Sequence, residues 1–291
     1  MMSALILGAT GNVGPHVVSA LVGAGEAPRV MVRDVQRARD QLGEHLDIVG
    51  GDMSDAGALH AAAEGIDTVF LLSPHAFAMA DAQLRVIREL RRSGARIVKL
   101  SGTSSAITPD GPHACRQHWE VERVLQESGQ PFVILRPNSF LQVLVERLML
   151  PGLKAGGTLM NPLGDAGISL IDARDVGAVA ARVIASHEWD GLTLSLTGPR
   201  AVTYAEIADL VAARTGMPVD VVDVAPGQVR ASLIARGTEE WEADHFAEMY
   251  ELFRAGESEF VTDTVERVLG RPPRTIESFL DEVLEPAEVI A

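Results

Sequence analysis

The sequence contains a single cysteine, Cys115, among 291 residues. One thiol cannot form an internal disulfide, which is typical of a protein that folds in a reducing compartment. The first residues run directly into a strand-like segment and lack the basic region, apolar region and cleavage site of a secretory leader. No apolar stretch approaches the roughly 20 residues that a membrane-spanning helix needs. These absences predict a soluble, cytoplasmic protein without a membrane partner.

Positive charge is also scarce, with 25 Lys and Arg against 40 Asp and Glu and a formal net charge of −15. Binding to nucleic-acid phosphates depends on Lys and Arg, so a nucleic-acid partner is disfavoured. Basic residues are nevertheless dense between Arg29 and Arg39, and such a local patch in an acidic protein indicates a small anionic ligand. We expect a small molecule as the partner of a monomer or homodimer.

Short β-rich runs alternate with helical patterns through the first two-thirds of the chain. The predicted strands cover residues 4–7, 29–32, 47–49, 68–72, 96–100, 132–135 and 192–196, and the predicted helices cover 13–24, 35–42, 56–63, 78–93, 118–128 and 175–186. Strands separated by helices are typical of βαβ units in a parallel sheet. We therefore predict an α/β protein with a Rossmann-like doubly wound parallel sheet.

After about residue 187 the pattern becomes mainly helical. Thr203 and Glu206 form a capping-box pattern for a helix that ends before Gly216. A short strand is expected at 218–224, mostly helical structure at 227–256 and a last helix at 275–284. The predicted dinucleotide-binding domain spans residues 1–155, with 170–200 returning to the sheet, and a smaller α-rich substrate lobe spans 156–169 and 201–291. Within that lobe, one row of large side chains is interpreted as a packing stripe, with a pocket lid or dimer face as alternatives: Trp241, Phe246, Met249 and Phe253.

A glycine turn at residues 8–14, GATGNVG, is the strongest motif in the sequence. It lies between an apolar strand and an apolar helical face. Gly8 permits a tight turn, Gly11 lets a pyrophosphate approach the backbone, and Gly14 lets the helix pack against the strand. The helix N-terminus offers free N–H groups and partial positive charge to a phosphate. The motif predicts a nicotinamide dinucleotide site.

This G-x-x-G-x-x-G spacing resembles that of extended and atypical short-chain dehydrogenase/reductases, and within them the NmrA-like family. That family includes a transcriptional regulator, NAD(P)H:quinone oxidoreductases, triphenylmethane dye reductases and isoflavone-reductase relatives. Later segments carry the resemblance further: 32–34, 51–55, 71–74, 100–105, 135–138 and 203–208. The resemblance implies cofactor contacts along the ends of successive strands: Gly8, Thr10, Gly11, Asn12, Val13, Gly14, Arg33, Arg37, Asp52, Met53, Leu72, Ser73, Ser101, Pro137 and Asn138.

The residue that follows the second strand bears on the choice between NADP and NAD. NAD-binding domains usually place an acidic residue there for the ribose 2′-hydroxyl. Arg33 falls near that position and Arg37 lies one helical turn later, and a guanidinium binds a 2′-phosphate well. We therefore expect NADP(H) to be preferred and NAD(H) to be accepted as the alternative. Asp34 would oppose this preference if its carboxylate pointed inward, and Arg33 could instead pair with Asp34 or Asp55.

Standard short-chain reductases use a Tyr and a Lys four residues later, and this sequence has only two tyrosines, neither at that spacing. The resemblance to quinone and dye reductases places His118 where the dyad would fall, as a proton or hydrogen-bond donor. The alternative is a histidine that only caps or packs its helix. Glu122, one turn later, either raises the pKa of His118 or faces water. Ser104 and Ser105 are the candidate hydroxyls that polarise a carbonyl.

Loops after the fourth, fifth and sixth strands should line the acceptor pocket. The pocket candidates are Pro74, His75, Phe77, Phe140 and Leu141. A metal site is not expected, since His113, Cys115 and His118 lack a fourth ligand. The first functional hypothesis is an NADPH-dependent reductase that passes hydride directly to a quinone-like or conjugated carbonyl acceptor. The alternative is a non-catalytic NAD(P)-binding redox sensor.

Overall fold

The computed structural model describes residues 3–284 and is built on a seven-stranded, all-parallel sheet. The strand order is β3-β2-β1-β4-β5-β6-β8. The strands are β1 (Ala4–Leu7), β2 (Arg29–Val32), β3 (Asp47–Gly50), β4 (Thr68–Leu71), β5 (Arg96–Leu100), β6 (Phe132–Pro137) and β8 (Thr193–Leu196). The central strands β1, β4 and β5 are buried along their whole length, which explains their continuous apolar runs.

Helices cover both faces of this sheet, as the strand–helix alternation predicts. One face is covered by α1 (Gly14–Gly23), α2 (Val35–Leu42), α7 (Ala173–Ile184) and α11 (Thr264–Leu269). The other face is covered by α3 (Ala56–Ala62), α4 (Met79–Leu90) and α5 (His113–Glu127). The doubly wound Rossmann-like prediction is therefore confirmed.

A second lobe has its own apolar core. It contains a π-helical segment (Gln142–Met149), α6 (Leu150–Gly156), α8 (Tyr204–Thr215), α9 (Pro226–Ala235), α10 (Glu240–Arg254) and α12 (Ile276–Val283). A two-stranded parallel sheet of β7 (Thr158–Asn161) and β9 (Asp220–Asp223) joins them. The capping box of Thr203 and Glu206 at the start of α8 is present, and Gly216 ends that helix in the left-handed conformation.

The division between the two cores differs in detail from the expected domain boundaries. Residues of the second core begin at Leu141, ahead of the expected boundary at residue 155. Conversely, Val265 and Val268 of α11 pack against the large sheet although they follow the second lobe in sequence. The predicted packing stripe on α10 belongs to the second core only in part, since Met249 and Phe253 pack there and Trp241 and Phe246 do not.

The predicted start of the helix that carries His118 was wrong. The expectation placed it at 118–128, whereas α5 begins at His113, after Pro112 in an extended conformation. Proline is well tolerated at a helix start because its missing N–H would have no partner there. His118 therefore lies inside the helix and does not cap it. None of the helices within residues 3–284 is both long and apolar enough to cross a membrane.

Candidate functional site

The loops that follow the parallel strands meet at one edge of the sheet. The strand order places β4 beside β1, and the chain proceeds outward from this pair in opposite directions. In such sheets the crevice outside the carboxyl ends, at the point where the order reverses, is the usual ligand site. The glycine turn after β1 and the loop after β4 therefore flank the same crevice.

The glycine turn is tightly packed at two of its three glycines. Gly8 has a φ of +71°, and its carbonyl accepts a hydrogen bond from the N–H of Gly11 at 3.1 Å. A Cβ on Gly8 would lie 2.7 Å from the carbonyl oxygen of Leu72. A Cβ on Gly14 would lie only 2.3 Å from the carbonyl oxygen of Gly8. Both positions therefore require glycine for the turn and for the close approach of helix α1.

The third glycine leaves space that a ligand can use. Gly11 is exposed, and a Cβ there would meet only the Gly8 oxygen, at 3.4 Å. No side chain caps the N-terminus of α1. Pro15 has no N–H and the N–H groups of His16 and Val17 bond to the Val13 carbonyl oxygen, so the N–H of Gly14 is the one left for a ligand in the first turn as the structure describes it. The buried Nδ2 of Asn12 has no hydrogen-bond partner among the described residues. These features fit a dinucleotide diphosphate at the helix N-terminus.

The loop after β2 presents a guanidinium beside this turn. The Arg33 side chain is 77% exposed, and its Nε lies 4.0 Å from Oδ2 of Asp52 after β3. The Asp34 carboxylate accepts the N–H of Arg37 at 3.0 Å and so caps helix α2. Asp55 likewise caps α3. Arg33 therefore remains open to a phosphate, and neither of its expected carboxylate partners holds it.

Several predicted residues have their polar groups committed within the protein. The Ser101 hydroxyl donates to Oε1 of Glu122 at 2.5 Å. The Asn138 amide bonds to Ser169 and to both the hydroxyl and the carbonyl of Ser258. The hydroxyls of Ser104 and Ser195 lie 2.6 Å apart.

The remaining candidates on these loops differ in exposure. Leu72, Ser73 and Phe140 are half-buried, Pro74 is exposed, and Met53 packs partly against one sheet-face core. Leu141 is fully buried in the second core. By contrast, the buried hydroxyls of Thr103 and Ser105 have no partner among the described residues. Of the two predicted serines, only Ser105 therefore keeps an uncommitted hydroxyl after β5.

His118 is held by a buried lysine that the sequence analysis did not single out. Nζ of Lys99, in strand β5, lies 2.9 Å from Nδ1 of His118. The Lys99 side chain is fully buried, and burial lowers its pKa to about 7. Burial holds the pKa of His118 well below its usual value, and the charges of Lys99 and Arg136, with those that His75 and His245 would carry when protonated, lower it further. His118 is therefore neutral at pH 7.

Glu122 does not act on His118 in either expected way. It is only 2% exposed, and it forms a two-pronged ion pair with Arg136 of β6, with Nη2 2.5 Å from Oε2. Its carboxylate thus faces inward rather than water, and the pKa of His118 is lowered rather than raised. The Glu122 carboxylate faces inward because it binds the Arg136 guanidinium and the Ser101 hydroxyl. Arg136 and Ser101 lie side by side there because β6 pairs with β5.

Aromatic rings from three elements form a cluster, which we call the aromatic cap, and two of its members, His75 and His245, lie near enough to His118 to lower its pKa. Its members are His75 and Phe77 after β4, His113 of α5, and Trp241, His245 and Phe246 of α10. Ring centroids are 5.2 Å apart for His75 and Trp241 and 4.9 Å for Phe77 and His113. Phe77 is 60% exposed. Most rings of the cap contact one another, and the exposed Phe77 leaves a flat apolar surface next to the sheet edge.

The cap also shows which functional candidates the sequence reasoning missed. His113 was considered only for metal binding and His245 not at all, whereas Trp241 and Phe246 were expected to pack in the lobe, with a pocket lid or dimer face as alternatives. A further omission is the exposed Arg147, whose Nη2 lies 3.3 Å from Oδ1 of Asn12. His113 and His245 carry no local motif, so only their convergence in space with the predicted His75 identifies them.

The two tyrosines of the chain lie away from this crevice. Tyr204 and Tyr250 both belong to the second core. Burial raises the pKa of each phenol above its usual value, which disfavours the phenolate. Neither phenol is therefore placed to act as an acid or base in this crevice.

Comparison with known proteins agrees with this geometry. Over 276 residues the chain is 31% identical to the NAD(P)H azoreductase of Xenophilus azovorans, covering 94% of this chain and 96% of that protein. Its fold matches the NADPH-dependent quinone oxidoreductase QOR2 of Escherichia coli, solved with NADPH, with a TM-score of 0.88 at 23% identity, covering 97% and 100% of the two chains. The triphenylmethane reductase of Citrobacter sp. complexed with NADP(H) gives a TM-score of 0.85 at 19% identity and covers 97% and 100%.

A sequence model of the NmrA-like family matches residues 3–280, almost the whole described chain. The glycine turn, the doubly wound sheet and the second lobe occur together within this match. The chain therefore belongs to the NmrA-like family.

Proposed function

We propose that this protein is an NADPH-dependent reductase that delivers hydride to a quinone-like or conjugated carbonyl acceptor. The observation that carries the proposal is the position of His118. Among the described residues its Nε2 has no hydrogen-bond partner, and its ring lies beside the aromatic cap at the sheet edge that holds the glycine turn. A polar donor beside flat apolar rings suits a planar acceptor with an oxygen atom.

The cofactor half of the site supports NADPH. The turn at Gly8, Gly11 and Gly14 would hold the diphosphate through backbone N–H groups, and Arg33 would pair with the 2′-phosphate. Asp34 does not oppose that contact because its carboxylate caps α2. When bound, the reduced nicotinamide supplies the hydride. The named relatives are reductases of NAD(P)H or NADPH type.

The acceptor half is formed by the aromatic cap and His118. Quinones and conjugated carbonyls are flat, so they can lie against an exposed ring such as that of Phe77 at the surface of the cap. The negative charge that develops on the reduced acceptor is spread over the conjugated system. A neutral His118 can stabilise its oxygen by donating a hydrogen bond from Nε2.

His118→Ala should lower kcat for quinone reduction by about 10²-fold, the lower end of the range for a lost acid–base group. The dissociation constant for NADPH should stay unchanged, since His118 is not part of the turn. Loss of NADPH absorbance with a panel of quinones measures the first quantity, and calorimetry measures the second. His45→Ala is the control, because His45 is exposed and precedes β3 at the opposite edge of the sheet.

Two results would count against this proposal. An unchanged kcat in His118→Ala would remove the role of His118. Tight NADPH binding by the unaltered protein without turnover of any quinone would instead support the redox-sensor alternative.

Arg33→Glu should weaken NADPH binding by about 1.5–3 kcal/mol, the free energy of a lost charge-assisted hydrogen bond. Binding of NADH should change little, because NADH lacks the 2′-phosphate. Arg39→Glu is the matched control, since Arg39 lies on α2 and pairs with Glu44. Equal losses for both cofactors would show that Arg33 does not recognise the phosphate.

A further inference from the structure

The buried amine of Lys99 has no catalytic explanation in the proposed function. Lys99 is fully buried in strand β5, between two paired strands, where a lysine is rare unless it has a partner. Among the described residues Nζ makes two hydrogen bonds, to the carbonyl oxygen of Leu100 at 3.1 Å and to Nδ1 of His118 at 2.9 Å, and no ion pair. Its only titratable hydrogen-bonding partner is therefore the His118 ring.

The neighbouring carboxylate does not neutralise this amine by direct contact. Glu122 is engaged by the Arg136 guanidinium and by the Ser101 hydroxyl. The charges of Glu122 and Arg136 offset each other, so the proton on Lys99 is the uncompensated charge of the group. Burial lowers the pKa of Lys99 to about 7, with Glu122 raising it and Arg136 lowering it. The pKa of the amine therefore lies within the physiological pH range.

The hydrogen bond also determines the tautomer of His118. An ammonium group has three donors and no acceptor, so Nδ1 must accept when Lys99 is protonated. The single proton of the neutral imidazole then resides on Nε2, the atom without a partner. The tautomer thus presents an N–H donor rather than a lone pair to the acceptor.

We propose that Lys99 and His118 form a proton relay that protonates the reduced acceptor, with Lys99 as its buried proton store. This inference rests on the proposed function. As the acceptor gains hydride, its oxygen takes the Nε2 proton of His118, and Nδ1 takes a proton from Nζ of Lys99. One O–H bond forms and one Nε2–H bond breaks, while one Nδ1–H bond forms and one Nζ–H bond breaks. The products are a neutral reduced acceptor, a neutral imidazole and a neutral amine.

Recovery of the relay needs no water at the buried lysine. Nε2 takes a proton from a hydronium ion at the crevice, which becomes water, and the Nδ1 proton returns to Nζ. Direct exchange with solvent is blocked, because the Lys99 side chain is fully buried. Lys99 is therefore a positioning residue that acts through His118, whereas His118 contacts the acceptor.

The relay gives a pH dependence with a defined sign. Lys99 must carry its proton, so acceptor protonation should fall as the pH rises through about 7. The titratable or charged groups facing Lys99 are His118 and Glu122 of α5 and Arg136 of β6. Those facing His118 are Lys99, Arg136, His75 after β4 and His245 of α10. The pKa of His118 is too low for its own titration to produce this change near pH 7.

Lys99→Met, measured with two acceptors, tests the relay. Methionine is unbranched and close to lysine in size, but it has no amine that could donate a proton. A quinone needs hydride and a proton, whereas a cationic triphenylmethane dye becomes neutral on taking hydride alone. We expect quinone kcat at pH 6 to fall by about 10²-fold and to lose its decline above pH 7. Dye reduction should stay close to that of the unaltered protein. Equal loss for both acceptors, or loss for neither, would overturn the relay.

A second measurement needs no altered lysine and no turnover. ¹⁵N NMR of histidine-labelled protein, with His118 assigned by its absence in His118→Ala, reports which ring nitrogen carries the proton. At pH 6 we expect protonated Nε2 and unprotonated Nδ1. A proton on Nδ1 would overturn the relay even if quinones are reduced. If no quinone turns over but Nε2 is protonated, the proposed function fails while the Lys99–His118 geometry stands.

Discussion

Gly14→Ala is expected to lower the free energy of unfolding by about 3 kcal/mol, the upper end of the usual overpacking range. The added Cβ would lie 2.3 Å from the Gly8 carbonyl oxygen and 2.6 Å from main-chain atoms of Ala9. Main-chain atoms cannot rotate away, so the helix or the turn must shift. NADPH binding should weaken at the same time, since the shift distorts the phosphate site. Urea unfolding and calorimetry measure the two effects.

Two other glycines provide controls for this substitution. Gly23, at the end of the same helix, has open space around a Cβ, so Gly23→Ala should be neutral or stabilising by up to about 1 kcal/mol. Gly11→Ala should leave stability nearly unchanged but weaken NADPH, because its Cβ would enter only the space assigned to the diphosphate. Equal stability of the Gly14 and Gly23 variants would contradict the tight packing of the turn.

Glu122→Ala is expected to cost about 3–5 kcal/mol of unfolding free energy, because it leaves the Arg136 guanidinium without its buried partner. The Ser101 hydroxyl loses its acceptor in the same variant. The pKa of Lys99 should fall further, since Glu122 is the charge that raises it. Thermal or urea unfolding measures the stability, and the pH profile of quinone reduction reports the change in the pKa of Lys99.

The origin of that loss can be separated with two further variants. Glu120→Ala, at an exposed position on the same helix, should change stability by no more than about 0.5 kcal/mol. Replacing both partners, as Glu122→Leu with Arg136→Met, should recover most of the stability because no buried charge is left unpaired. A double variant as unstable as Glu122→Ala would show that packing, and not charge pairing, causes the loss.

Much of the fold could be predicted because its signals are local. Strands β1, β2 and β5 and helix α2 begin and end where the apolar patterns place them. Patterns of period 2 and 3.6, and caps such as Thr203 with Glu206, depend on residues only a few positions apart. Strand β7 and the π-helical segment were missed, since neither has a periodicity that distinguishes it from loop or ordinary helix.

The candidate site was also predictable from the sequence only in part. The glycine turn is a contiguous motif, so its position and the packing of Gly8 and Gly14 were predictable. The inward orientation of Glu122 was not, since it depends on Arg136 in a strand that reaches α5 only after the sheet has formed. Asp34 was equally ambiguous, because a carboxylate after a strand can face a ligand or cap the next helix.

The sequence by itself determined the parallel sheet, the glycine turn at its edge and the arginine after its second strand. Only the tertiary structure decided that Lys99 lies behind His118 and that rings from the loop after β4, α5 and α10 form one cluster, with His75 and His245 near that histidine. The physical reason is distance along the chain. Lys99 meets His118 only when α5 packs on the sheet, and His245 approaches only when α10 of the second lobe packs against α5, so no local pattern encodes either contact.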